Sequence, residues 1–518
     1  MKTSLRAGKP SSRGDTWATV FWLGASGAIA IAIAIPAVFG ALQFYSIYDG
    51  AITSSAGTFI RHGLIPYRDF WLLYGPLPSY MAALIGLVDR DTLVPVRIVG
   101  LLFVGLTAAT AAWIAAQRIA LPSAALVGVL GALVPIVYVG LDLAPWPLAM
   151  LLVVLAIAVG SREDRLGYLL AGTLCGLAGL ARQDLGLFGL GAVVIAHRSA
   201  WPLVPALAMW IAVGIWLLAV VPVDRLWDQL VAFPVFGQAQ YRSLDAPAPL
   251  DLLRPDDWLP TYLFYLSLGL IVATLVRSRR VRPDRLTGAL ILLAIVTRPQ
   301  GIIRADGAHI AMTLLPCLLL APFLMSGTVT SVGKRAVAGI LAAPLVVLAI
   351  AILMVSPTPS PYAEAIQDAS RIVGAWTDRD EPIFVGLADN RHGYVNPLIV
   401  YHLADRPTGV RDSLYNPGVT TTAETQEAMI TDLARNQVRF LVLDVRYAYC
   451  WEPANLSRLP GSPALDETIM RDFRTVADLG AVIIMARNDV SVGRLPAHVI
   501  VDPEVPREEG TLHCSRPN

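Results

Sequence analysis

Carboxylate and guanidinium side chains recur in the short polar turns between long apolar segments of this chain. In chain order they are Asp49, Arg68, Asp69, Asp142, Arg182, Asp184, Arg304, Asp306 and, beside the last acid, His309. A carboxylate can act as a general base on a hydroxyl, and an arginine can hold a phosphate through paired N–H donors. Together these groups suit a displacement in which a hydroxyl attacks carbon and a phosphate leaves.

The composition indicates that these residues belong to a membrane protein. Of the 518 residues, 55% are hydrophobic and only 15% are charged, and the mean hydropathy is +0.59. Apolar runs of about 20 residues recur, and that length is enough to cross a bilayer. The net charge of +1 gives no indication of a nucleic-acid partner. We therefore expect a polytopic α-helical membrane protein whose partners include membrane lipids and no nucleic acid.

About eleven membrane spans are predicted. The first, roughly 17–42, follows a basic N-terminus and is interpreted as an uncleaved span that starts in the cytoplasm. The run 76–88 is only about 13 residues long and begins with GPLP, so we expect it to lie half-embedded along the membrane. The remaining spans are predicted near 98–116, 122–139, 146–160, 167–181, 185–197, 202–222, 259–276, 286–297, 308–326 and 336–355.

Basic residues predict the orientation of these spans. If 76–88 does not cross, the turns richest in arginine, above all the five arginines between 277 and 285, fall on the cytoplasmic side. The turns that carry the acidic residues then face the outside of the plasma membrane. Ionisable residues close to hydrocarbon are costly, so a convergent set usually lines a polar cavity. If 76–88 did cross, the loops that follow it would reverse.

The chain changes character near Pro357, where long apolar runs give way to mixed polar sequence. Predicted helices at 362–376, 426–435 and 465–473 alternate with predicted strands at 382–386, 439–444 and 481–485. We expect a membrane domain at 1–356, with an outer loop at 43–97, followed by an extracytoplasmic α/β domain at 357–518. Cys450 and Cys514 in the second domain could pair in an oxidising compartment.

The ordered set of polar segments resembles the membrane-bound GT-C glycosyltransferases, the superfamily of protein mannosyltransferases, aminoarabinose transferases and family 39-like bacterial relatives. The resemblance extends over most of the chain. It depends on the order of several polar segments and not on any single motif. The segments are YSIYDGAI with Asp49, IPYRDFWLLYGPLPSY with Arg68 and Asp69, PVRIVG with Arg97, GLAGLARQDLG with Arg182 and Asp184, and RADGAH with Arg304, Asp306 and His309.

This resemblance implies transfer of a monosaccharide from a polyprenyl-phosphate donor to an acceptor hydroxyl, with inversion at the sugar carbon. It assigns the general base to Asp49 and a role in positioning the acceptor, or in assisting a metal, to Asp69. It assigns the donor phosphate to three arginines and a supporting role to three neighbours: Arg68, Arg182 and Arg304, and Asp184, Asp306 and His309. Gly50 stands where many relatives have a second acid, which speaks against a paired-carboxylate metal site, although a divalent metal is left open.

Other interpretations of the same residues stay open at this point. The acceptor could be a lipid, a polysaccharide or a protein, and the sugar is not determined. A transporter or flippase of a lipid-linked or amphipathic solute would also carry intramembrane charges, but related halves and charges near span midpoints are typical of that class. Here the charges lie at span ends. A scaffold or sensor would leave these charges unexplained, so the enzyme is the favoured prediction.

Overall fold

A computed structural model describes residues 13–40, 42, 47, 49–254, 258–326, 360–391, 395–416, 418–445 and 459–493, except the side chains of 13–15, Asp49 and Arg242. The predicted span 336–355 and the cysteines Cys450 and Cys514 lie outside the described residues.

The first two thirds of the chain are helical. The helices are α1 (Arg13–Val38), α2 (Asp49–Arg61), α3 (Leu77–Ile85), α4 (Val94–Ala116), α5 (Leu121–Val139), α6 (Pro145–Gly160), α7 (Arg165–Ala181), α8 (Gln183–His197), α9 (Leu203–Val220), α10 (Val223–Trp227), α11 (Gln238–Arg242), α12 (Trp258–Ser278), α13 (Arg285–Ile303), α14 (Gly307–Leu318) and α15 (Ala321–Met325). A π-helical stretch, Asp228–Gly237, joins α10 to α11, so that 223–242 forms one helical segment. A short 3₁₀ helix, Pro249–Leu253, precedes α12.

Six helices in the described part of the chain are long and apolar enough to cross a membrane, namely α1 from Thr16 onward, α4, α5, α9, α12 and α13. Four shorter apolar helices, α6, α7, α8 and α14, coincide with predicted spans. The chain is a multi-pass membrane protein, as the sequence predicted. Helix α3 has nine residues and extends only about 14 Å, too short to cross a hydrocarbon core of about 30 Å.

Close helix packing determines where the turn between α7 and α8 lies. A Cβ atom added to Gly186 would lie 2.2 Å from the backbone nitrogen of Gly179, so the two helices can approach this closely only without a side chain there. A Cβ atom added to Gly172 would likewise collide with the carbonyl oxygen of Pro202, just before α9. The contact between Gly186 and Gly179 fixes the α7–α8 hairpin and therefore the position of Arg182, which forms its turn.

The C-terminal region is a small α/β structure. Four helices, α16 (Pro361–Trp376), α17 (Ile399–Ala404), α18 (Ala423–Arg435) and α19 (Ala464–Asp472), accompany four strands, β1 (Phe384–Leu387), β2 (Phe440–Asp444), β3 (Phe473–Asp478) and β4 (Val482–Arg487). The sheet order is β1-β2-β4-β3, with β1 parallel to β2 and the other two pairings antiparallel. Strand β3 is an edge strand that the sequence prediction missed. Only two of its six residues, Phe473 and Ala477, are buried, so its sequence lacks the apolar run that marked the other strands.

Helix α2 and the loop that follows it pack against this C-terminal region. Phe59 contacts both Phe70 and Tyr401 edge-to-face, with ring centroids 5.1 and 4.9 Å apart. Nearby, Arg61 donates to Asp405 over 2.9 Å, and this pair is largely buried. The loop is therefore part of the same hydrophobic core as the α/β region.

His402 makes this contact sensitive to acid. Its Nε2 donates to the carbonyl of Thr92 over 3.0 Å, and its Nδ1 lies 3.2 Å from the hydroxyl of Thr58. Burial lowers the pKa of His402 to about 4, and the Arg61 charge acts in the same direction. The ordinary pKa of histidine is about 6.5. Between pH 6.5 and pH 4, His402 is therefore protonated in the unfolded chain but neutral in the folded protein.

We expect the stability of this contact to fall as the pH drops below 6.5, with the loss complete near pH 4. The slope due to His402 is about 1.4 kcal/mol per pH unit at most. The apparent unfolding temperature of the purified protein, measured across this range, should fall less steeply in His402→Gln, since glutamine keeps one donor and one acceptor but does not titrate. Parallel curves for the two proteins would contradict this account.

Candidate functional site

Two turns bring together several of the residues singled out in the sequence. In the α7–α8 turn, Arg182 Nε donates to Asp184 Oδ1 over 3.0 Å and Nη2 donates to Gln300 Oε1 over 3.1 Å. The guanidinium carbon lies 4.2 Å from the ring centroid of Trp146 and 5.3 Å from that of Tyr74. Nη1 donates to no protein group among the described residues. Arg182 is therefore fixed in place while keeping an unused donor.

The second turn, between α13 and α14, holds a charged cluster of its own. Arg304 Nε lies 2.8 Å from Asp306 Oδ2, and His309 Nδ1 lies 2.8 Å from Asp306 Oδ1. Asp306 also caps α14 by accepting the backbone N–H of His309. Burial alone would raise the pKa of the Asp306 carboxyl, but the nearby His309 and Arg304 hold it below its ordinary value. Asp306 thus stays ionised and orients both neighbours.

Both turns line one cavity of about 460 Å³, here called the amphipathic cavity. Its polar lining comes from the turns and from the end of α13, and includes Arg182, Asp184, Gln300, Arg304 and His309. Its apolar lining comes mainly from α8 and the helical segment 223–242, and includes Leu187, Phe188, Leu230, Val231, Pro234 and Val235. Such a cavity can receive a ligand with an anionic head group and an apolar chain.

The sequence prediction missed Gln300, which bridges the two turns. Its amide accepts from Arg182 and donates to Asp184. Gln300 lies in the last turn of α13 and Arg304 directly follows the helix, so the C-terminal end of α13 positions both. The position of Gln300 four residues before Arg304 in TRPQGIIR is the sequence feature that could have identified it.

Arg68 and Asp69 lie on a different cavity. They form a two-pronged pair, Nε to Oδ1 and Nη2 to Oδ2, both over 2.8 Å. Asp69 also accepts the backbone N–H of Ile65. Burial tends to raise the pKa of Asp69, but Arg68 and this backbone donor lower it overall. Arg68 therefore does not join Arg182 and Arg304 in the amphipathic cavity, and its Nε and Nη2 are bonded to Asp69.

Asp49 is the first residue of α2, and its side chain lies outside the described part of the structure. The following residue, Gly50, packs against Asp142: an added Cβ would lie 2.3 Å from Asp142 Cβ. Asp142 is buried in an ion pair with Arg97, Nε to Oδ1 over 2.6 Å. A second acid at position 50 would collide with this pair, which gives a steric reason for the glycine.

The segment 67–74 contributes to both cavities, since Arg68 and Asp69 line one and Leu73 and Tyr74 line the other. Gln229, from the helical segment 223–242, holds it in place. Its side chain accepts the N–H of Leu72 over 2.9 Å and donates to the carbonyl of Tyr67 over 3.1 Å. Tyr67 has a left-handed backbone (φ 66°), which non-glycine residues rarely adopt, so this anchor stabilises a strained turn.

We expect Gln229→Leu to destabilise the protein by about 2 kcal/mol, because two buried backbone groups lose their partner. The measurement is the apparent unfolding temperature in detergent together with protease cleavage within 67–74. Gln240→Leu, on the exposed side of α11, is the matched control and should leave both unchanged. Equal behaviour of the two variants would show that Gln229 does not anchor the segment.

Among the described residues, no group of three or more histidine, cysteine, aspartate or glutamate side chains could hold a metal ion. The sequence left a divalent metal open beside Asp69 without predicting a metal site.

Solved structures define the class of fold. ArnT from Cupriavidus metallidurans bound to undecaprenyl phosphate superposes with a TM-score of 0.56 at 11% identity, covering 93% of this chain and 100% of that one. The archaeal oligosaccharyltransferase AglB from Archaeoglobus fulgidus, in complex with an inhibitory peptide and a dolichol-phosphate, gives 0.51 at 11% identity, covering 84% of this chain and 70% of that one. The apo form of the A. fulgidus oligosaccharyltransferase also gives 0.51.

The chain has the GT-C fold of membrane glycosyltransferases, as the resemblance in sequence implied. No protein-family model matches it, and no curated protein matches it either.

Proposed function

We propose that this protein transfers a monosaccharide from a polyprenyl-phosphate donor to an acceptor hydroxyl at the outer face of the plasma membrane. The observation that carries the proposal is the convergence of Arg182 and Arg304 on a cavity with apolar walls. Two proteins of the same fold support the choice of ligand, since ArnT was solved with undecaprenyl phosphate and AglB with a dolichol-phosphate.

The two arginines would act on the leaving phosphate. As the bond between the sugar carbon and the phosphate oxygen breaks, negative charge grows on the phosphate, and fixed guanidinium groups stabilise that charge. Arg182 is stacked on Trp146 and held by Asp184 and Gln300, so its unused Nη1 donor needs little reorganisation to bind a phosphate oxygen. Asp306 orients Arg304 and His309 in the same way.

Asp49 would be the general base, as the resemblance implies. It would accept the proton of the acceptor hydroxyl while the hydroxyl oxygen forms a bond to the sugar carbon opposite the departing phosphate. One displacement of this kind inverts the sugar carbon and leaves polyprenyl phosphate as the second product. The position of Asp49 at the start of α2, next to the buried Asp142–Arg97 pair, supports this role because that pair fixes the helix end.

The direct test is turnover by the purified full-length protein in nanodiscs, with a panel of labelled polyprenyl-phosphate sugars. We expect release of polyprenyl phosphate from at least one donor, by transfer or by slow hydrolysis. If no donor is consumed, and a labelled polyprenyl-phosphate sugar crosses the bilayer in proteoliposomes instead, the protein is a transporter and the proposal is wrong.

A further inference from the structure

A second cavity, of about 630 Å³, lies between the residues after α2, helix α10 and the C-terminal α/β region. We call it the polar cavity. Its charged lining consists of four arginines and four aspartates, Arg68, Arg225, Arg411, Arg435, Asp69, Asp380, Asp412 and Asp432. Equal numbers of opposite charges give no net attraction for a polyanion or a polycation.

Some of these charges neutralise one another within the protein. Arg68 pairs with Asp69 over 2.8 Å, and Arg435 pairs with Asp432 over 2.6 Å. Asp432 also accepts the backbone N–H of Arg411 over 2.9 Å. The wall is therefore built from side chains held in fixed orientations.

Asp412 differs from the others. Its residue is only 6% exposed, yet within the described structure it accepts no hydrogen bond, and its nearest cation, Arg411 Nη2, lies 3.9 Å away. The Nε of Arg411 is likewise buried without a hydrogen-bond partner. A buried carboxylate without a donor and a buried guanidinium N–H without an acceptor are costly, so both groups are suited to a ligand that supplies a donor and an acceptor.

A sugar hydroxyl supplies both. Hydroxyls donate to carboxylates and accept from guanidiniums, and planar Asp, Arg and Asn groups can bridge neighbouring hydroxyls. The apolar lining of the polar cavity, Leu64, Pro382, Pro407, Val410 and Ala428, is smaller than its polar lining, which favours a hydroxyl-rich ligand over an apolar peptide. The adjoining edge of β1 is engaged at Ile383, which forms a bridge with Thr408, so strand addition by a peptide is blocked there.

The polar cavity and the amphipathic cavity share no lining residue among those described, but the same chain segments contribute to both. Asp69 lines the first and Leu73 the second, and these residues are separated by at most about 14 Å of extended chain. On the helical segment 223–242, Arg225 lines the polar cavity and Leu230 lines the amphipathic cavity.

We propose that the polar cavity binds a neutral glycan through Asp412 and Arg411, and that this glycan is the acceptor. The second half of this statement rests on the proposed function; the binding itself does not.

The test is equilibrium binding of neutral hexasaccharides of mannose, glucose, galactose and arabinose, and of a neutral hexapeptide, to the full-length protein in nanodiscs. We expect at least one hexasaccharide to bind and the peptide not to bind. Asp412→Asn should weaken hexasaccharide binding about tenfold, since a charged hydrogen bond is lost. Asp489→Asn is the matched control, because Asp489 pairs with Arg487 on the surface away from this cavity, and it should bind normally.

A second variant tests the site without removing a charge. Ala428 is exposed on the rim of the polar cavity, and Ala428→Trp should fill the space and abolish hexasaccharide binding, with the unfolding temperature unchanged. If Asp412→Asn does not fold, Ala428→Trp decides. Absence of hexasaccharide binding, binding of the peptide alone, or binding that is unaffected in Ala428→Trp would overturn the proposal.

The same samples separate this proposal from the proposed function. Asp412→Asn should bind undecaprenyl phosphate as the wild type does. Hexasaccharide binding without donor consumption would leave the glycan site intact and contradict the transferase. Donor consumption without hexasaccharide binding would contradict the glycan site alone.

Discussion

Arg182→Gln is expected to lower kcat/KM for the lipid-linked donor by about 10² to 10³, the cost of removing one fixed donor from a developing anion. Gln keeps a polar group beside Asp184 and Gln300 but loses the charge and the Nη1 donor. The measurement is initial-rate kinetics with the polyprenyl-phosphate sugar that the wild type consumes. Both kcat and affinity for undecaprenyl phosphate should fall, because the phosphate is charged in the ground state and more so as it leaves.

Arg165→Gln is the matched control for this change. Arg165 is the first residue of α7, whereas Arg182 directly follows the end of that helix. Like Arg182, Arg165 stacks on a tryptophan: its guanidinium carbon lies 4.1 Å from the ring centroid of Trp201. It lines neither cavity described above. Unchanged kinetics in Arg165→Gln together with wild-type kinetics in Arg182→Gln would mean that the phosphate does not bind at Arg182.

Asp49→Asn should reduce kcat by about 10² to 10⁴, the usual contribution of a general base. Asparagine can still begin a helix, so α2 should keep its N-terminus, and undecaprenyl phosphate should bind as before. Initial-rate kinetics with a saturating donor, together with a lipid-binding measurement, separate the loss of the base from the loss of the site.

Asp91→Asn, in the polar stretch before α4, provides a comparison for that variant, because Asp91 lines neither of the two cavities. A kcat close to that of the wild type in Asp49→Asn would reassign the base to another carboxylate while leaving the arginine site untouched.

The architecture could be predicted from the sequence because hydropathy is a local property. Apolar runs located the spans, and the predicted strands at 382–386, 439–444 and 481–485 overlap β1, β2 and β4. The sequence could also predict that the α7–α8 and α13–α14 turns lie close together. Polar residues at the same ends of antiparallel spans must lie on the same side of the membrane, which brought Arg182 and Arg304 into one set.

The placement of Arg68 and Asp69 could not be predicted in this way. Their segment is positioned by partners distant in sequence: Trp71 donates its backbone N–H to the carbonyl of Arg411, and Gln229 holds Tyr67 and Leu72. No local pattern encodes such contacts. The prediction therefore assigned Arg68, Arg182 and Arg304 together to the donor phosphate, whereas in the structure Arg68 lines one cavity and the other two arginines line another.

The packing role of Gly50 could not be predicted from the sequence either. In the sequence this glycine was only a departure from the acid found in many relatives, with a consequence for metal binding. The structure gives it a packing reason, because Asp142 occupies the space next to it and is held there by Arg97.

The central claim is that the amphipathic cavity holds a lipid-linked phosphate between Arg182 and Arg304. The most direct measurement is an electron cryomicroscopy structure of the full-length protein in nanodiscs with undecaprenyl phosphate. We expect phosphate density within about 3 Å of donor nitrogens of Arg182 and Arg304, with the lipid chain along Leu187 and Leu230. Phosphate density bound at Arg68 in the polar cavity, or an amphipathic cavity without lipid at saturating concentration, would contradict it.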